Sequence, residues 1–136
     1  MNRKVIPLLL APLALAACVE QEEVDTSMEA GAVLFAQDCA ACHGDDGKGA
    51  GNFGTQLFTV PPDLTTLSAQ AGGVFPRDYI MGVIDGFDRG DHFSGAMPEF
   101  GAGDLGPTVN VEVEGLGTPV PSKLLALAAY IESIQE

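Results

Sequence analysis

Apolar and polar residues recur with the period of an amphipathic helix in three stretches of the chain. In residues 31–44, "GAVLFAQDCAACHG", the apolar positions fall at spacings of three and four, and Thr26 or Ser27 can serve as the N-cap. Residues 77–86 form a second such stretch. The predicted buried face of this second helix consists of Tyr79, Ile80, Val83 and Ile84.

The third helical stretch is the C-terminal "PSKLLALAAYIESIQ". We expect Ser122 to cap this helix, because a serine before an apolar run favours helix initiation. An apolar stripe follows at helical spacing and is expected to face the core. The stripe consists of Leu124, Leu127, Ala128 and Ile131.

The segments between these helices are rich in glycine and proline. Residues 44–54 and 85–103 are predicted to be loops, and residues 60–67, "VPPDLTTL", a turn followed by a short helix. Residues 108–120 alternate valine with polar residues and turn at 115–117, which predicts a β-hairpin. Long loops in a small domain indicate either a function or a ligand that the loops enclose.

The N-terminus has the pattern of an export signal. Two positive charges precede an apolar run that is too short to span a bilayer comfortably, and the run ends in "LAAC", residues 15–18. This ending resembles the lipobox of bacterial lipoproteins. We therefore predict a lipoprotein signal peptide over residues 1–17 and lipidation of Cys18. An ordinary secretory signal and an uncleaved anchor are the alternatives.

Residues 18–30 follow as a short acidic segment, which predicts a flexible tether between the lipid and the folded domain. The last few residues of the tether are also compatible with a first helical turn. The expected location is the periplasmic side of a bacterial membrane, with the protein held there by its N-terminal lipid. That compartment is oxidising.

The composition limits the choice of partners. The chain has 6 Lys and Arg against 19 Asp and Glu, and loss of Arg3 and Lys4 with the signal takes the formal net charge from −13 to −15. Nucleic acid is a poor partner for such a chain, so none is expected. A basic docking face on a redox protein complements the charge better. With 17 Gly and no Trp, the core is thin, and a bulky apolar cofactor would help to fill it.

The motif "CAACH", residues 39–43, contains two of the three cysteines and one of the two histidines. A structural zinc site needs about four ligands. Cys42 and His43 are adjacent in the sequence, so their side chains do not easily bind the same small ion together with Cys39. A thioredoxin-like dithiol follows a strand, whereas the pattern before Cys39 is helical. These two readings are therefore disfavoured.

Covalent attachment of c-type haem is the third reading, and C-x-x-C-H is its known motif. Cys39 and Cys42 lie one helical turn apart, so both sulfurs project to the same side and can bond two vinyl groups along one porphyrin edge. His43 follows directly and is placed to bind the iron. We therefore predict one covalent, iron-containing haem c, held by these three residues.

Four segments, "GAVLFAQDCAACHG", "PPDL", "SGAMPEF" and "LAAYIESI", occur in this order between about residues 31 and 134. Together they resemble the small mono-haem class I c-type cytochromes. The resemblance implies an all-α cytochrome c domain over residues 31–136, with three to five helices around one covalently bound haem. The predicted β-hairpin before the C-terminal helix departs from the family as an insertion. In the family the first and last helices cross, with Gly31 and Phe35 here packed on Tyr130.

The resemblance also implies that Met97, in "GAMPEF", returns across the haem face and supplies the sixth ligand of the iron. Pro98 restricts the backbone before it, and Gly95 permits a tight turn. His92 is the rival ligand, and a second histidine would lower the reduction potential where a thioether raises it. Met81 lies on a predicted helix and is expected to pack in the core.

Other haem contacts follow from the same resemblance. The backbone carbonyl of Pro62, in "PPDL", is expected to accept a hydrogen bond from the imidazole of His43 and so to fix its orientation. The side chains of Arg77, Tyr79 and Lys48 are candidate partners for the haem propionates.

Two filled axial positions leave the iron no free site for a substrate. This favours outer-sphere transfer of one electron at a time between protein partners, and not an enzyme. The alternative is a haem subunit of a larger oxidoreductase, or a haem enzyme or gas sensor with a labile sixth ligand.

Overall fold

The structure is a computed structural model that describes residues 24–90, 95–113 and 115–136. The predicted signal peptide and Cys18 lie outside these residues, and so does His92.

The predicted first helix is present, but it starts earlier and is interrupted. Helix α1, Met28–Asp38, begins after Ser27, whose side chain accepts a hydrogen bond from the backbone N–H of Ala30 at 3.1 Å. Residues 28–30, expected within the tether, are therefore helical. A break at Cys39 separates α1 from the single turn α2, Ala40–His43.

Three further α-helices, three short 3-10 helices and one hairpin complete the described chain. Short 3-10 helices lie at Gly54–Gln56, Leu64–Thr66 and Phe100–Ala102, and α3 is Leu67–Gln70. Helix α4 is Arg77–Asp85 and α5 is Ser122–Ser133, which confirms both predicted helices. The antiparallel hairpin of β1, Thr108–Val113, and β2, Leu116–Pro121, is confirmed as well.

The first and last helices cross at a point where their backbones almost touch. A Cβ atom built on Gly31 would lie 2.0 Å from the backbone oxygen of Ala126 and 2.9 Å from the Cβ of Tyr130. The ring of Phe35 packs on that of Tyr130 one turn further along α1. The crossing implied by Gly31, Phe35 and Tyr130 is thus confirmed, and glycine is required at its centre.

The core lies between α1, α4 and α5. The predicted stripe of α5 is buried, and Met81 is part of the core as expected. Tyr79 was expected to be buried, but its side chain is 56% exposed, because α4 turns Ile80, Met81 and Ile84 inward instead. The core cluster comprises Phe35, Ala40, Ile80, Met81, Ile84, Leu124, Leu127, Ala128 and Ile131.

The prediction that Ser122 caps α5 is wrong. Pro121 occupies the N-cap position, and Ser122 is the first residue of the helix. The Ser122 side chain is buried, and a Cβ on Gly106 would lie 2.8 Å from its hydroxyl oxygen. Its backbone N–H donates to the carbonyl of Pro107, so this serine joins the helix start to the chain entering the hairpin.

The end of the chain ties α5 to the segment around α3. The amide of Gln135 donates to the carbonyls of Leu64 and Ile131 at 2.7 and 2.8 Å, and its oxygen accepts from the N–H of Ser68 at 2.8 Å. The N–H of Glu136 donates to the carbonyl of Thr65. Within the described ranges, no helix has the length and apolar character that crossing a bilayer requires.

Candidate functional site

The backbone of the "CAACH" motif forms one tight turn that brings its three functional residues together. The carbonyl of Cys39 accepts hydrogen bonds from the N–H of Cys42 at 3.1 Å and of His43 at 2.9 Å. Gly44, with φ +80°, then ends the helix. The predicted spacing of about one turn between the two sulfur-bearing residues is therefore what the backbone adopts.

The glycine-rich loop after the motif wraps back over this turn. The N–H of Gly49 donates to the carbonyl of His43 at 2.7 Å, and the N–H of Phe53 donates to that of Ala41 at 2.9 Å. A Cβ on Gly54 would lie 2.0 Å from the carbonyl oxygen of Cys42, so only glycine permits this approach. The loop predicted from glycine content thus encloses the motif and fixes its backbone.

Both cysteines of the motif are free thiols and are half-buried. Burial raises the pKa of Cys39 to about 12, and the nearby Asp38 and Cys42 add to the effect. A thiol of this kind stays protonated at neutral pH, unlike the activated cysteine of a dithiol oxidoreductase. The structure and the sequence thus agree in disfavouring thioredoxin-like chemistry.

A closed zinc site finds no support in the arrangement of side chains. Among the described residues, no three His, Cys, Asp or Glu side chains converge as metal ligands would. A structural zinc ion needs about four such ligands. The cysteines and the histidine of this turn therefore lack the further ligands for a closed site within that part of the chain.

The His43 side chain is half-buried, and its Nδ1 is buried without a hydrogen-bond partner among the described residues. Burial lowers the pKa of His43, and the backbone carbonyl of Pro62 opposes that shift. Nδ1 is buried and makes no hydrogen bond of normal geometry with any described residue. The Pro62 carbonyl is thus a polar group beside the imidazole and is the acceptor available to Nδ1.

Several contacts hold Pro62 beside the motif. The N–H of Leu64 donates to the carbonyl of Gly47 at 2.8 Å, and Gly49 packs against the carbonyl of the preceding proline. Asp63 accepts from the N–H and the hydroxyl of Thr65 at 2.8 and 2.7 Å, which starts the next 3-10 helix. The "PPDL" segment is therefore fixed by the loop on one side and by a cap on the other.

These residues fit a c-type haem. Two free thiols stand one turn apart, and the histidine that follows has Nδ1 turned towards the protein, which leaves Nε2 as the nitrogen for a metal. The buried, unsatisfied Nδ1 would become a good donor to the Pro62 carbonyl once Nε2 is bound.

Met97 lies half-buried against the edge of the core. Its carbonyl accepts a hydrogen bond from Nη1 of Arg89 at 2.8 Å, and the carbonyl of Pro98 accepts from Nη2 of the same side chain. Met28, the first residue of α1, is 43% exposed. The rival ligand His92 lies outside the described residues.

The candidate propionate partners are occupied or exposed. Lys48 forms an ion pair with Glu136 at 2.6 Å, and Arg77 pairs with Glu132 of α5. Tyr79 points away from the core. None of the three is singled out as a haem contact by its position.

Sequence reasoning missed Arg89. Nothing in the local pattern marks this residue, because the carbonyls that it binds lie six residues before it and eight and nine residues after it. Such a role depends on how the chain folds back.

A family model described as "Cytochrome c" matches residues 28–109. The match begins at the first residue of α1, includes the "CAACH" turn, Pro62 and Met97, and ends at the second residue of β1. Comparison with curated proteins and with solved structures gave no significant match.

Proposed function

Because the chain belongs to the cytochrome c family, whose cofactor is covalent, iron-containing c-type haem, we propose that it is a one-electron carrier rather than an enzyme. When bound, this group supplies a single-electron couple between two oxidation states of iron. The chain supplies the means to hold it, to set its ligands and to present it to partners.

Three residues of one turn hold the cofactor in this proposal. Cys39 and Cys42 supply the sulfurs for two thioether bonds, and His43 supplies the proximal imidazole through Nε2. The observation that carries the proposal is the buried Nδ1 of His43 beside the Pro62 carbonyl, directly after two free thiols. A hydrogen bond from Nδ1 to that carbonyl would orient the ring and strengthen it as a ligand.

Met97 is the proposed sixth ligand. Support comes from its half-buried position at the edge of the core and from the hydrogen bonds that fix its backbone. A thioether opposite an imidazole favours the reduced iron and raises the potential. It also closes the second axial position to small molecules, which suits a carrier and opposes a gas sensor.

The rest of the proposal concerns place and partners. We place the carrier on the periplasmic face of a bacterial membrane, attached through lipid on Cys18. Tethering raises its effective concentration near redox proteins of the same membrane. A formal net charge of −13 for the whole chain favours partners with basic docking faces and steers their encounter.

Optical spectroscopy of the haem-loaded protein tests the carrier function. The oxidised wild type should show the methionine-to-iron charge-transfer band near the red end of the visible spectrum, and the reduced form should not bind CO. Met97→Ala should lose the band and bind CO readily, whereas the exposed Met28→Ala should behave as wild type. Rapid CO binding by the reduced wild type would instead indicate a sensor or an enzyme.

A further inference from the structure

Arg89 joins two parts of the chain that the sequence separates. It lies beyond Gly86, the glycine that ends α4, and its side chain is half-buried. Within the described residues its guanidinium donates three hydrogen bonds to backbone carbonyls. Nε donates to Val83 at 3.1 Å, Nη1 to Met97 at 2.8 Å, and Nη2 to Pro98.

The α4 end of this connection is rigid. Val83 is in the last turn of a helix whose Ile80, Met81 and Ile84 are buried in the core. Carbonyls in the last turn of a helix have no partner within it, and a cation there also interacts favourably with the helix dipole. Arg89 thus completes the C-terminus of α4 and is itself anchored by doing so.

At the other end of the connection, Arg89 binds the backbone carbonyls of two consecutive residues, Met97 and Pro98. The planar guanidinium holds its N–H donors in a fixed arrangement that matches the adjacent carbonyls of Met97 and Pro98. Because the donors are already fixed relative to one another, the side chain loses little further conformational entropy when it binds both carbonyls. A lysine, with its ammonium on a flexible stem, cannot reproduce that geometry. The ring of Pro98 restricts the backbone of the residue before it as well.

The segment that follows Met97 also packs against the end of α4. A Cβ on Gly101 would lie 1.6 Å from a carboxylate oxygen of Asp85, and a Cβ on Gly86 would lie 3.1 Å from the Cγ of Glu99. The methionine is therefore held close to α4 by contacts beyond it and by the arginine at its own carbonyl.

We infer that Arg89 is a positioning residue for the axial ligand: it fixes the backbone of Met97 to the C-terminus of α4 and so keeps the thioether directed at the iron. This inference rests on the proposed ligation by Met97. Without the guanidinium of Arg89, the carbonyls of Met97 and Pro98 lose a charged hydrogen-bond partner. The segment that contains Met97 then moves away from the iron more readily. Exogenous ligands then compete more successfully for the sixth position.

The test compares Arg89→Gln and Arg89→Lys with Lys123→Gln in the haem-loaded protein. Lys123 is a matched control, because its ammonium also donates to a backbone carbonyl, that of Asp104, but away from Met97. Both Arg89 variants should bind imidazole to oxidised iron about tenfold more tightly than wild type, as expected for loss of charged hydrogen bonds. In a titration towards high pH, the charge-transfer band of both variants should also disappear at a lower pH than that of the wild type. Lys123→Gln should match wild type in both readings.

Three results would overturn the inference. The first is wild-type imidazole affinity and band stability in Arg89→Gln. The second is full recovery in Arg89→Lys, since this would assign the effect to charge and not to the fixed arrangement of the donors. The third is a band that survives in Met97→Ala, which would remove the proposed ligand itself. Loss of the band in Met97→Ala, together with wild-type band stability and imidazole affinity in the Arg89 variants, would refute only the role of Arg89. Should Arg89→Gln fail to accumulate, Arg89→Lys alone decides between the outcomes.

Discussion

The rings of Phe35 in α1 and Tyr130 in α5 pack with their centroids 5.0 Å apart and their planes tilted by 49°. Their contact joins the helix that leads into the "CAACH" turn to a helix that lies beyond the end of the family match. The orientation of the "CAACH" turn, the proposed site of haem attachment, thus depends on the C-terminal helix. The two helices approach this closely because Gly31 lies one turn before Phe35.

Replacing Gly31 with alanine should destabilise the protein strongly. The new Cβ would lie 2.0 Å from the carbonyl oxygen of Ala126, so α1 and α5 must move apart. We expect a loss of about 2–3 kcal/mol in the free energy of unfolding, as for overpacked cores. Urea denaturation of the haem-loaded protein measures this change.

Gly117→Ala is the matched control for that substitution. A Cβ on Gly117 meets no atom within 4 Å, so its replacement should change stability by less than about 0.5 kcal/mol. Equal effects of the two substitutions would mean that the helix crossing is not as close as described.

Gln135→Ala should weaken the attachment of the Leu64–Thr66 and α3 segments to α5. It removes three hydrogen bonds that join the chain end to Leu64, Ser68 and Ile131. The expected cost is about 1–3 kcal/mol in thermal or chemical unfolding. Gln70→Ala, which loses a bond to Thr66 on the exposed side of α3, should cost much less. The same cost for both would argue against the role of Gln135.

Asp63 should contribute a pH-dependent part of the stability. Hydrogen bonds from the side chain and then the backbone of Thr65 lower the pKa of Asp63 below its ordinary value of 3.8. Its stabilising effect is therefore fully present above pH 3.8 and is lost as the pH falls through the lower, folded-state pKa. The stability difference between wild type and Asp63→Asn should accordingly be largest near neutral pH and shrink in acid.

Asp45→Asn controls for the loss of one negative charge in a neighbouring loop. The stability difference between Asp45→Asn and wild type reports only the weaker repulsion among the negative charges of the chain once one of them is removed. If the Asp63→Asn profile followed that of Asp45→Asn, the cap at Thr65 would not be the cause of the pH dependence.

Lipidation of Cys18 is tested by expression of the full chain in a bacterial host with a labelled fatty acid. Wild type should take up the label and remain with the membranes, whereas Cys18→Ser, which lacks the thiol that carries the lipid, should take up no label. An unlabelled soluble wild type would indicate an ordinary secretory signal. An unlabelled wild type that stays in the membrane with the mass of the unprocessed chain would indicate an uncleaved anchor.

Sequence pattern predicted the helices well where a single apolar face decides them. Residues 77–86 and the C-terminal stripe show this, since the apolar residues of each recur at helical spacing and most of them face the core. Tyr79 was assigned to the wrong face, because the apolar side chains of α4 extend around more than half of its circumference. The burial of Met81 in place of Tyr79 is decided by packing against α5.

Two other features were beyond local pattern. Ser122 has the residue type of an N-cap, but it is the first residue of the helix, and its buried side chain lies close to Gly106. The break at Cys39 separates two helical pieces that have continuous helical spacing in the sequence. Neither difference is marked by the apolar pattern of the sequence.

The proposed haem-binding residues have a clearer signal in the sequence than the residues that support them. The "CAACH" motif contains the attachment chemistry in five residues, so its reading needs no tertiary information. The position of Pro62 beside His43 depends on the Gly47–Leu64 hydrogen bond, and only the resemblance to a family indicated it. Arg89 had no signal at all, since its role is defined by carbonyls six residues before it and eight and nine residues after it.

The mass of the intact protein, matured in a periplasm that attaches haem, tests the central claim most directly. Wild type should carry the added mass of one haem that survives denaturation, and Cys39→Ser combined with Cys42→Ser should carry none. His43→Ala keeps both thiols but lacks the imidazole, so it separates covalent attachment of haem by Cys39 and Cys42 from binding of the iron by His43. A wild-type chain with the mass of the bare polypeptide would contradict the account.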